Sequence, residues 1–147
     1  ISACLVGSEM CIRDRINSKG HKVDLNFVKI AALLHDIGRS KTHTISHGIE
    51  GAKILKDFPE IARVCESHIG AGITRDEAVS LGLPKKDYLP ETLEEKIIAH
   101  VDNITEGNRT VPIERTIKKF ESRLGKNSLV LIRMKELNDY IERLLKD

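Results

Sequence analysis

The chain has 147 residues, a length that supports one domain with a single sizeable core and excludes two domains of ordinary size. Aromatic residues make up 3% of it and Trp is absent, so the core must be built from Leu, Ile, Val and Ala, which favours helices. Lys and Arg number 24 against 22 Asp and Glu, so the charge balance favours neither a nucleic-acid nor a membrane-surface partner. No apolar stretch reaches the ~18 residues of a membrane span, and we expect a cytoplasmic protein.

The first fifteen residues, ISACLVGSEMCIRDR, have no initiator Met and no clear amphipathic period, and they hold two of the three cysteines. They resemble a peptide that recurs at the ends of metagenomic gene models, where sequencing-adapter DNA has been translated with the gene. We therefore expect residues 1–15 to be a non-native scar on a fragment of a longer protein, and we exclude them from the fold. A native N-terminal helix is the alternative.

Capping residues, glycines and prolines predict helices along most of the remaining chain, and no segment carries a strand signal. The expected helices span about 16–20 (the end of a helix), 25–37, 46–58, 60–69, 75–81, 93–106, 113–124 and 128–145. The expected N-caps and capping boxes are Asp24, Ser46, Thr74 with Glu77, and Thr92 with Glu95. The predicted fold class is all-α, a compact helical bundle.

The last predicted helix carries apolar residues that alternate spacings of four and three: Val130, Met134, Leu137, Ile141 and Leu144. Two heptads of this kind usually pack inside a bundle. A helix-mediated homodimer is the less favoured alternative.

His35 and Asp36 stand side by side at the end of a strongly apolar run, residues 30–34. A helix that apolar is expected to be buried, and an imidazole next to a carboxylate at its inner end needs compensation for lost solvation. A divalent cation would supply it. A buried hydrogen-bonded His–Asp pair is the alternative.

Three more side chains could join this doublet from other predicted helices: His47, His68 and Asp102. Each also has a simpler interpretation. His47 could be a residue of a first helical turn, His68 a satisfied core histidine, and Asp102 an acceptor for Asn103 or Arg109. Taken together, the set favours metal ligation.

The other histidines are expected to be structural or exposed. His100 would face away from Asp102 on its helix, His21 would lie in a surface turn, and His43 would lie in an exposed loop, with a substrate contact as its alternative.

Histidine and aspartate are ligands that suit iron, manganese or zinc, whereas an all-oxygen set would suggest magnesium or calcium. Asp36 could bridge two cations through its two oxygens. Two metals about 3.5–4 Å apart can hold a hydroxide and a phosphoryl oxygen together for in-line displacement. Asp36 is therefore the candidate catalytic residue, and hydrolysis of a phosphate ester or anhydride is the expected reaction.

Four motifs in order, HDIGR at 35–39, HGIEGA at 47–52, HIGAG at 68–72 and HVDNI at 100–104, resemble the HD-domain superfamily of metal-dependent phosphohydrolases. The resemblance is strongest to small archaeal HDIG-domain proteins. It covers residues 16–112, and residues 113–147 are then expected to form a C-terminal helical extension packed on the core.

The resemblance implies a helical bundle that binds two divalent metals, with iron or manganese favoured. One metal would be held by His35, Asp36 and Asp102, and Asp36 would bridge to a second held by His47 and His68. The implied partner is a small phosphorylated substrate.

Arg39, just past the doublet, would meet the phosphate of that substrate. A similar order of motifs in the HD-type dinucleoside tetraphosphate hydrolases points to a nucleotide. Substrate specificity would come from loop residues such as Lys85 to Pro90.

The family pattern begins with an additional histidine on the first helix, at a position that falls at or just before Ile1, where this chain has none. We therefore expect the first metal site to be incomplete and metal binding to be weakened. A non-catalytic module that senses a nucleotide or binds a partner is the alternative function. Arg39, Lys41 and Arg109 lie close to the motifs in sequence and favour an enzyme.

Overall fold

A computed structural model describes residues 11–12 and 14–146. Residues 14–18 are helical and precede the helices that we label α1 to α7 in chain order. The elements are α1 (Leu25–Leu34), a 3-10 helix (Ile37–Ser40), α2 (His47–Ile54), α3 (Pro59–Ser67), α4 (Arg75–Ser80), α5 (Leu93–Asn103), β1 (Thr105–Glu106), β2 (Arg109–Thr110), α6 (Ile113–Leu124) and α7 (Leu129–Lys146). The all-α fold class is confirmed. The proposed scar, residues 1–15, lies largely outside the described residues, as does the position of the missing family histidine.

Several helices end earlier than the sequence pattern predicts, α1 and α2 among them. α1 stops at Leu34, and the chain then turns through His35 and Asp36 into the 3-10 helix. α2 stops at Ile54 rather than near Phe58, since Pro59 opens α3 and disfavours a helical conformation in the residue before it.

The predicted N-caps are only partly correct. The Asp24 side chain accepts a hydrogen bond from the Phe27 backbone N–H at 2.9 Å, as expected. Ser46 occupies the N-cap position of α2 but makes no capping hydrogen bond. Its hydroxyl instead lies 2.7 Å from that of Thr44.

One of the two predicted capping boxes is complete. At the start of α4, the Thr74 hydroxyl accepts from the Glu77 N–H, and the Glu77 carboxylate accepts from the Thr74 N–H. At the start of α5, Thr92 accepts from the Glu95 N–H, but the return bond is absent. The buried Glu95 carboxylate accepts from Arg63 and from the Glu91 N–H instead, because a guanidinium compensates a buried charge better than an amide does.

The main hydrophobic core is shared by α5 and α7. It includes Ile97 and Val101 of α5 with Met134 and Ile141 of α7, all fully buried. Leu144 packs at its edge. The apolar stripe of the last helix therefore contributes to the core within one chain.

α1 is buried on one side only, which contradicts the expectation of an all-round buried helix. Val28, Ala31 and Ala32 are buried, whereas Ile30 and Leu33 are 46% and 45% exposed. The residues on the buried side continue into His35, which is fully buried. No described helix is both long and apolar enough to cross a lipid bilayer.

A short antiparallel ladder is an element that the sequence pattern did not predict. Thr105 pairs with Thr110 and Glu106 with Arg109 around Gly107 and Asn108. Gly107 has a φ of +63°, a conformation that glycine adopts without strain. Two residues per strand are too few to give an alternating pattern of polar and apolar residues.

We predict that Glu77→Gln will destabilise the protein by about 2 kcal/mol at neutral pH. Arg133 of α7 donates to Glu77 and to the Gly72 carbonyl, so this pair ties α7 to the start of α4. Burial alone would raise the pKa of Glu77, but hydrogen bonds from Arg133 and Thr74 outweigh it and lower the pKa below the usual 4.5.

A carboxyl group whose pKa is lower in the folded state stabilises the fold above its unfolded pKa, and this contribution is lost as pH falls through the folded value. The difference between Glu77→Gln and the unsubstituted protein should therefore shrink below about pH 4.5, as measured by urea unfolding. Asp76→Asn is the control, because Asp76 lies next to Glu77 but is 91% exposed. A pH-independent difference would contradict the prediction.

Candidate metal centre

The five predicted ligands come together from separate parts of the fold. His35 follows α1, Asp36 precedes the 3-10 helix, His47 opens α2, His68 follows α3 and Asp102 lies in the last turn of α5. His35, His47 and His68 are buried, and Asp36 and Asp102 are partly exposed. Three helix C-termini thus point at one space, and the partial negative charge of a helix C-terminus attracts cations.

The two oxygens of Asp36 face different neighbours. Oδ1 lies 3.2 Å from Nε2 of His47 and 3.3 Å from Nε2 of His68. Oδ2 lies 3.7 Å from Nε2 of His35. The same Nε2 also lies 3.5 Å from Oδ1 of Asp102. The doublet and its three partners therefore form one continuous cluster of possible ligand atoms. Donor atoms of His35, Asp36 and His68 all lie within 4.8 Å of one another.

The three histidines have the same local geometry. In each, Nδ1 lies 2.8–2.9 Å from the backbone carbonyl oxygen three residues earlier, namely that of Ala32, Thr44 or Cys65. A carbonyl only accepts hydrogen bonds, so each Nδ1 carries a proton, and each ring offers the lone pair of Nε2 to a cation when it is neutral. The Nε2 atoms of His47 and His68 are 3.1 Å apart. Two lone pairs at that distance repel unless a proton or cation lies near both.

The electrostatics of the cluster favour positive charge. Burial alone would lower the pKa of His35, but the close approach and charge of Asp102, with the charge of Asp36, raise it to about 9. Burial would raise the pKa of Asp36, yet the close approach of His47 and His68 and the charge of His35 hold it well below its usual range. The cluster therefore attracts a proton when no other cation is bound.

Glycines allow the helices to approach closely enough to form the cluster. A Cβ on Gly38 would lie 1.8 Å from the His47 carbonyl oxygen, and a Cβ on Gly48 would lie 2.5 Å from that of Cys65. Gly38 therefore lets the 3-10 helix contact α2, and Gly48 lets α2 contact α3. Without these contacts Asp36 could not meet both His47 and His68.

Cys65 lies beside the cluster, yet its thiol is not a candidate ligand. Burial and the charge of Asp36 raise the pKa of Cys65 to about 12. The thiol therefore stays protonated at neutral pH, and it donates to the Leu34 carbonyl at 3.5 Å.

A cavity of about 450 Å³ opens next to the cluster, and His47, His68 and Asp102 form part of its wall. Arg39 also lines it and places its Nε 3.1 Å from Oδ2 of Asp36. His43 is exposed and lines the same cavity.

Several contacts expected from the sequence are not found in the structure. Asn103 does not donate to Asp102; its amide donates to the Gly70 carbonyl at 2.7 Å. Residues 85–90, the expected specificity loop, do not line the cavity. Lys86 instead pairs with Glu66 at 2.6 Å. Arg109 is exposed in the hairpin and does not line the cavity.

His21 and His100 do not belong to the cluster. His21 is exposed, as predicted. His100 is 1% exposed, and burial lowers its pKa to about 4, so it stays neutral in the fold.

One wall of the cavity was not predicted: α6 supplies it through Thr116, Phe120, Arg123 and Leu124. Their spacings of four, three and one place them on one helix face. This periodicity was visible in the sequence. It could not be assigned to a site, because the same pattern describes an ordinary core-facing stripe.

Comparison with known proteins agrees with the motif pattern. The model of the HD domain family matches residues 7–107. No solved structure gives a significant match to the chain.

The chain is similar to an uncharacterized protein of Methanocaldococcus jannaschii, with 52% identity over 99% of the chain and 89% of that protein. It is also similar to two proteins named tRNA (cytidine(56)-2'-O)-methyltransferase. The one from Picrophilus torridus is 50% identical over 68% of the chain and 30% of that protein. The one from Thermoplasma volcanium is 39% identical over 88% of the chain and 36% of that protein. The chain thus spans about a third of these two methyltransferases.

Proposed function

Because the chain belongs to the HD-domain family, we propose that it is a metal-dependent phosphohydrolase acting on an ester or anhydride of a small phosphorylated molecule. The observation that carries this proposal is the orientation of three imidazoles. Their Nδ1 atoms are held by backbone carbonyls, and their Nε2 atoms all point toward the carboxylates of the cluster.

The donor atoms fit a divalent cation. Nε2 of His35 and Oδ1 of Asp36 are buried and make no hydrogen bond of good geometry within the described part of the chain. Buried polar atoms cost free energy when they have no partner. The mixed nitrogen and oxygen donors suit iron, manganese or zinc, and we favour iron or manganese.

We assign two ions to the cluster, because Asp36 turns one oxygen to each of two donor sets. His47 and His68 would hold one ion with Oδ1 of Asp36, and His35 and Asp102 would hold the other with Oδ2. Such a pair of ions would supply an activated water nucleophile and polarise the phosphoryl group.

Two side chains have distinct roles in this proposal. Asp36 keeps both donor sets in one geometry and is the residue on which catalysis depends. Arg39 uses its Nε to contact Asp36, which leaves its terminal nitrogens to donate hydrogen bonds to phosphate oxygens on the cavity side. The charge that develops on those oxygens during hydrolysis is then stabilised by a fixed cation.

The cavity supports a substrate larger than inorganic phosphate. Its volume of about 450 Å³ lies within the range of pockets that bury molecules of nucleotide size. We therefore propose a nucleotide as the substrate class.

Metal removal tests this function. We expect the purified protein to contain iron or manganese and to hydrolyse members of a panel of nucleotides and phosphomonoesters. Dialysis against a chelator should abolish hydrolysis, and Mn²⁺ or Fe²⁺ should restore it better than Mg²⁺ does, because imidazole ligands disfavour Mg²⁺. Elemental analysis and phosphate release are the measurements. Hydrolysis that survives complete metal removal would contradict the proposal.

A non-catalytic nucleotide-sensing or partner-binding module is the second candidate. The two methyltransferases favour it. In each of them, the segment similar to this chain makes up about a third of the protein, and the protein is named for a reaction other than hydrolysis. Metal-loaded protein that binds nucleotides but releases no phosphate from any of them would favour this module over the hydrolase.

A further inference from the structure

The wall that α6 adds to the cavity lies beyond the residues matched by the family model, which end at 107. It brings one apolar aromatic ring, Phe120, and one cation, Arg123, into the wall of the cavity that opens next to the cluster. These two residues are therefore features of this chain rather than of the four motifs.

Hydrogen bonds fix α6 relative to the cluster. The Thr116 hydroxyl donates to the Asn103 carbonyl at 2.5 Å, and the Asn103 amide donates to the Gly70 carbonyl at 2.7 Å. Asn103 follows Asp102 directly, and Gly70 lies two residues after His68. The start of the α6 wall is thus tied to two candidate ligands.

The cavity-facing residues of α6 lead away from that anchor. With a rise of about 1.5 Å per residue, Phe120 lies roughly 6 Å and Arg123 roughly 10 Å along the helix from Thr116. The aromatic ring therefore comes between the anchored end of the helix and the guanidinium.

The two arginines of the cavity differ in what they contact. Arg39 is paired with Asp36 beside the cluster. Arg123 is exposed and has no ion pair within the described part of the chain. A guanidinium that lines a cavity without a protein carboxylate is available to an anionic ligand.

We propose that Arg123 is a specificity-determining residue that pairs with a second phosphate of the substrate, while Phe120 packs against the part between the two phosphates. This inference rests on the proposed function, which supplies the first phosphate at Arg39 and the metal centre. A substrate whose single phosphate is bound at Arg39 and the metal centre would not need a second cation roughly 10 Å along α6 from Thr116. The chemistry that fits is a nucleoside with phosphates at two separate positions, such as a 3',5'-bisphosphate.

Equilibrium binding to the metal-free protein tests this inference without relying on catalysis. Calorimetry would compare adenosine 5'-monophosphate, adenosine 5'-diphosphate and adenosine 3',5'-bisphosphate. We expect the bisphosphate to bind about tenfold more tightly than the monophosphate, the gain that one charge-assisted contact provides. Arg123→Ala should remove this difference, and Arg123→Lys should keep part of it.

Lys118→Ala is the matched control. Lys118 is an exposed residue of the same helix and does not line the cavity. Lys118→Ala removes one positive charge, as Arg123→Ala does, but leaves the cavity wall unchanged. The difference between bisphosphate and monophosphate should survive in this variant. Circular dichroism would verify that both variants keep the helical fold.

Three results would overturn the inference: equal binding of bisphosphate and monophosphate, equal losses in Arg123→Ala and Lys118→Ala, or an Arg123-dependent gain as large for the diphosphate as for the bisphosphate. Failure of the proposed function looks different. In that case Arg123 still selects the bisphosphate, but the metal-loaded protein hydrolyses none of the three compounds.

Discussion

Asp36→Asn is expected to abolish both metal loading and phosphate release. The substitution keeps the volume of the side chain but replaces one oxygen with an NH2 group and removes the negative charge. Whichever way the amide turns, one of the two donor sets then faces a group that cannot bind a cation. Residues that hydrogen-bond to a metal ligand typically contribute about 10- to 100-fold to metal affinity or activity. Asp36, as a direct ligand of both ions, should contribute more.

The measurements for Asp36→Asn are metal content after dialysis and the rate of phosphate release from the panel of nucleotides and phosphomonoesters. Asp76→Asn serves as the control, because it removes one carboxylate from an exposed position outside the cluster. We expect it to keep the metal content and activity of the unsubstituted protein. If Asp36→Asn still hydrolysed the same substrates at a similar rate, Asp36 could not bridge the catalytic ions.

Much of the fold was predictable because its signals are local. Asp24 and Thr74 act through hydrogen bonds to backbone groups three residues away, so their effects can be read from a short stretch of sequence. The missing return bond of Glu95 could not be read this way. It depends on Arg63, a residue 32 positions away in the chain.

The candidate ligands were predictable for a different reason. His35 and Asp36 at the end of an apolar run are unusual enough to indicate a site, and the structure brings His47, His68 and Asp102 into the same cluster. The side chains that line the rest of the cavity carry no such mark. Phe120 and Leu124 are ordinary apolar residues of an amphipathic helix, and only the packing of α6 places them at the cavity.

Arg123 illustrates the same limit for charged residues. An exposed arginine in the last turn of a helix is common, since it interacts favourably with the helix C-terminus. Its position in the cavity wall follows from the packing of α6, which the bond between Thr116 and Asn103 anchors and which no sequence pattern indicates.

Gly38→Ala is the second substitution with a large expected effect, a destabilisation of about 3 kcal/mol or more. The added Cβ would lie 1.8 Å from the His47 carbonyl oxygen and 2.5 Å from the Gly51 amide nitrogen. Both are backbone atoms, so no side-chain rotation can relieve the contact. The 3-10 helix and α2 would have to separate, which would move His47 away from Asp36.

Gly20→Ala is the control for this prediction. Gly20 has a φ of +91° but nothing within 4 Å of an added Cβ, so its substitution tests backbone strain without a collision. That strain should cost about 1–2 kcal/mol. Urea unfolding followed by circular dichroism gives both free energies, and elemental analysis of the folded fraction gives the metal content.

The expected order is a larger loss for Gly38→Ala than for Gly20→Ala, with reduced metal content in Gly38→Ala alone. This pattern would follow from the close approach of the 3-10 helix and α2, because only the first variant disturbs that contact. A Gly38→Ala protein as stable as the Gly20→Ala protein, with its metal content intact, would mean that α2 can shift without displacing His47, and the candidate centre would not depend on this contact.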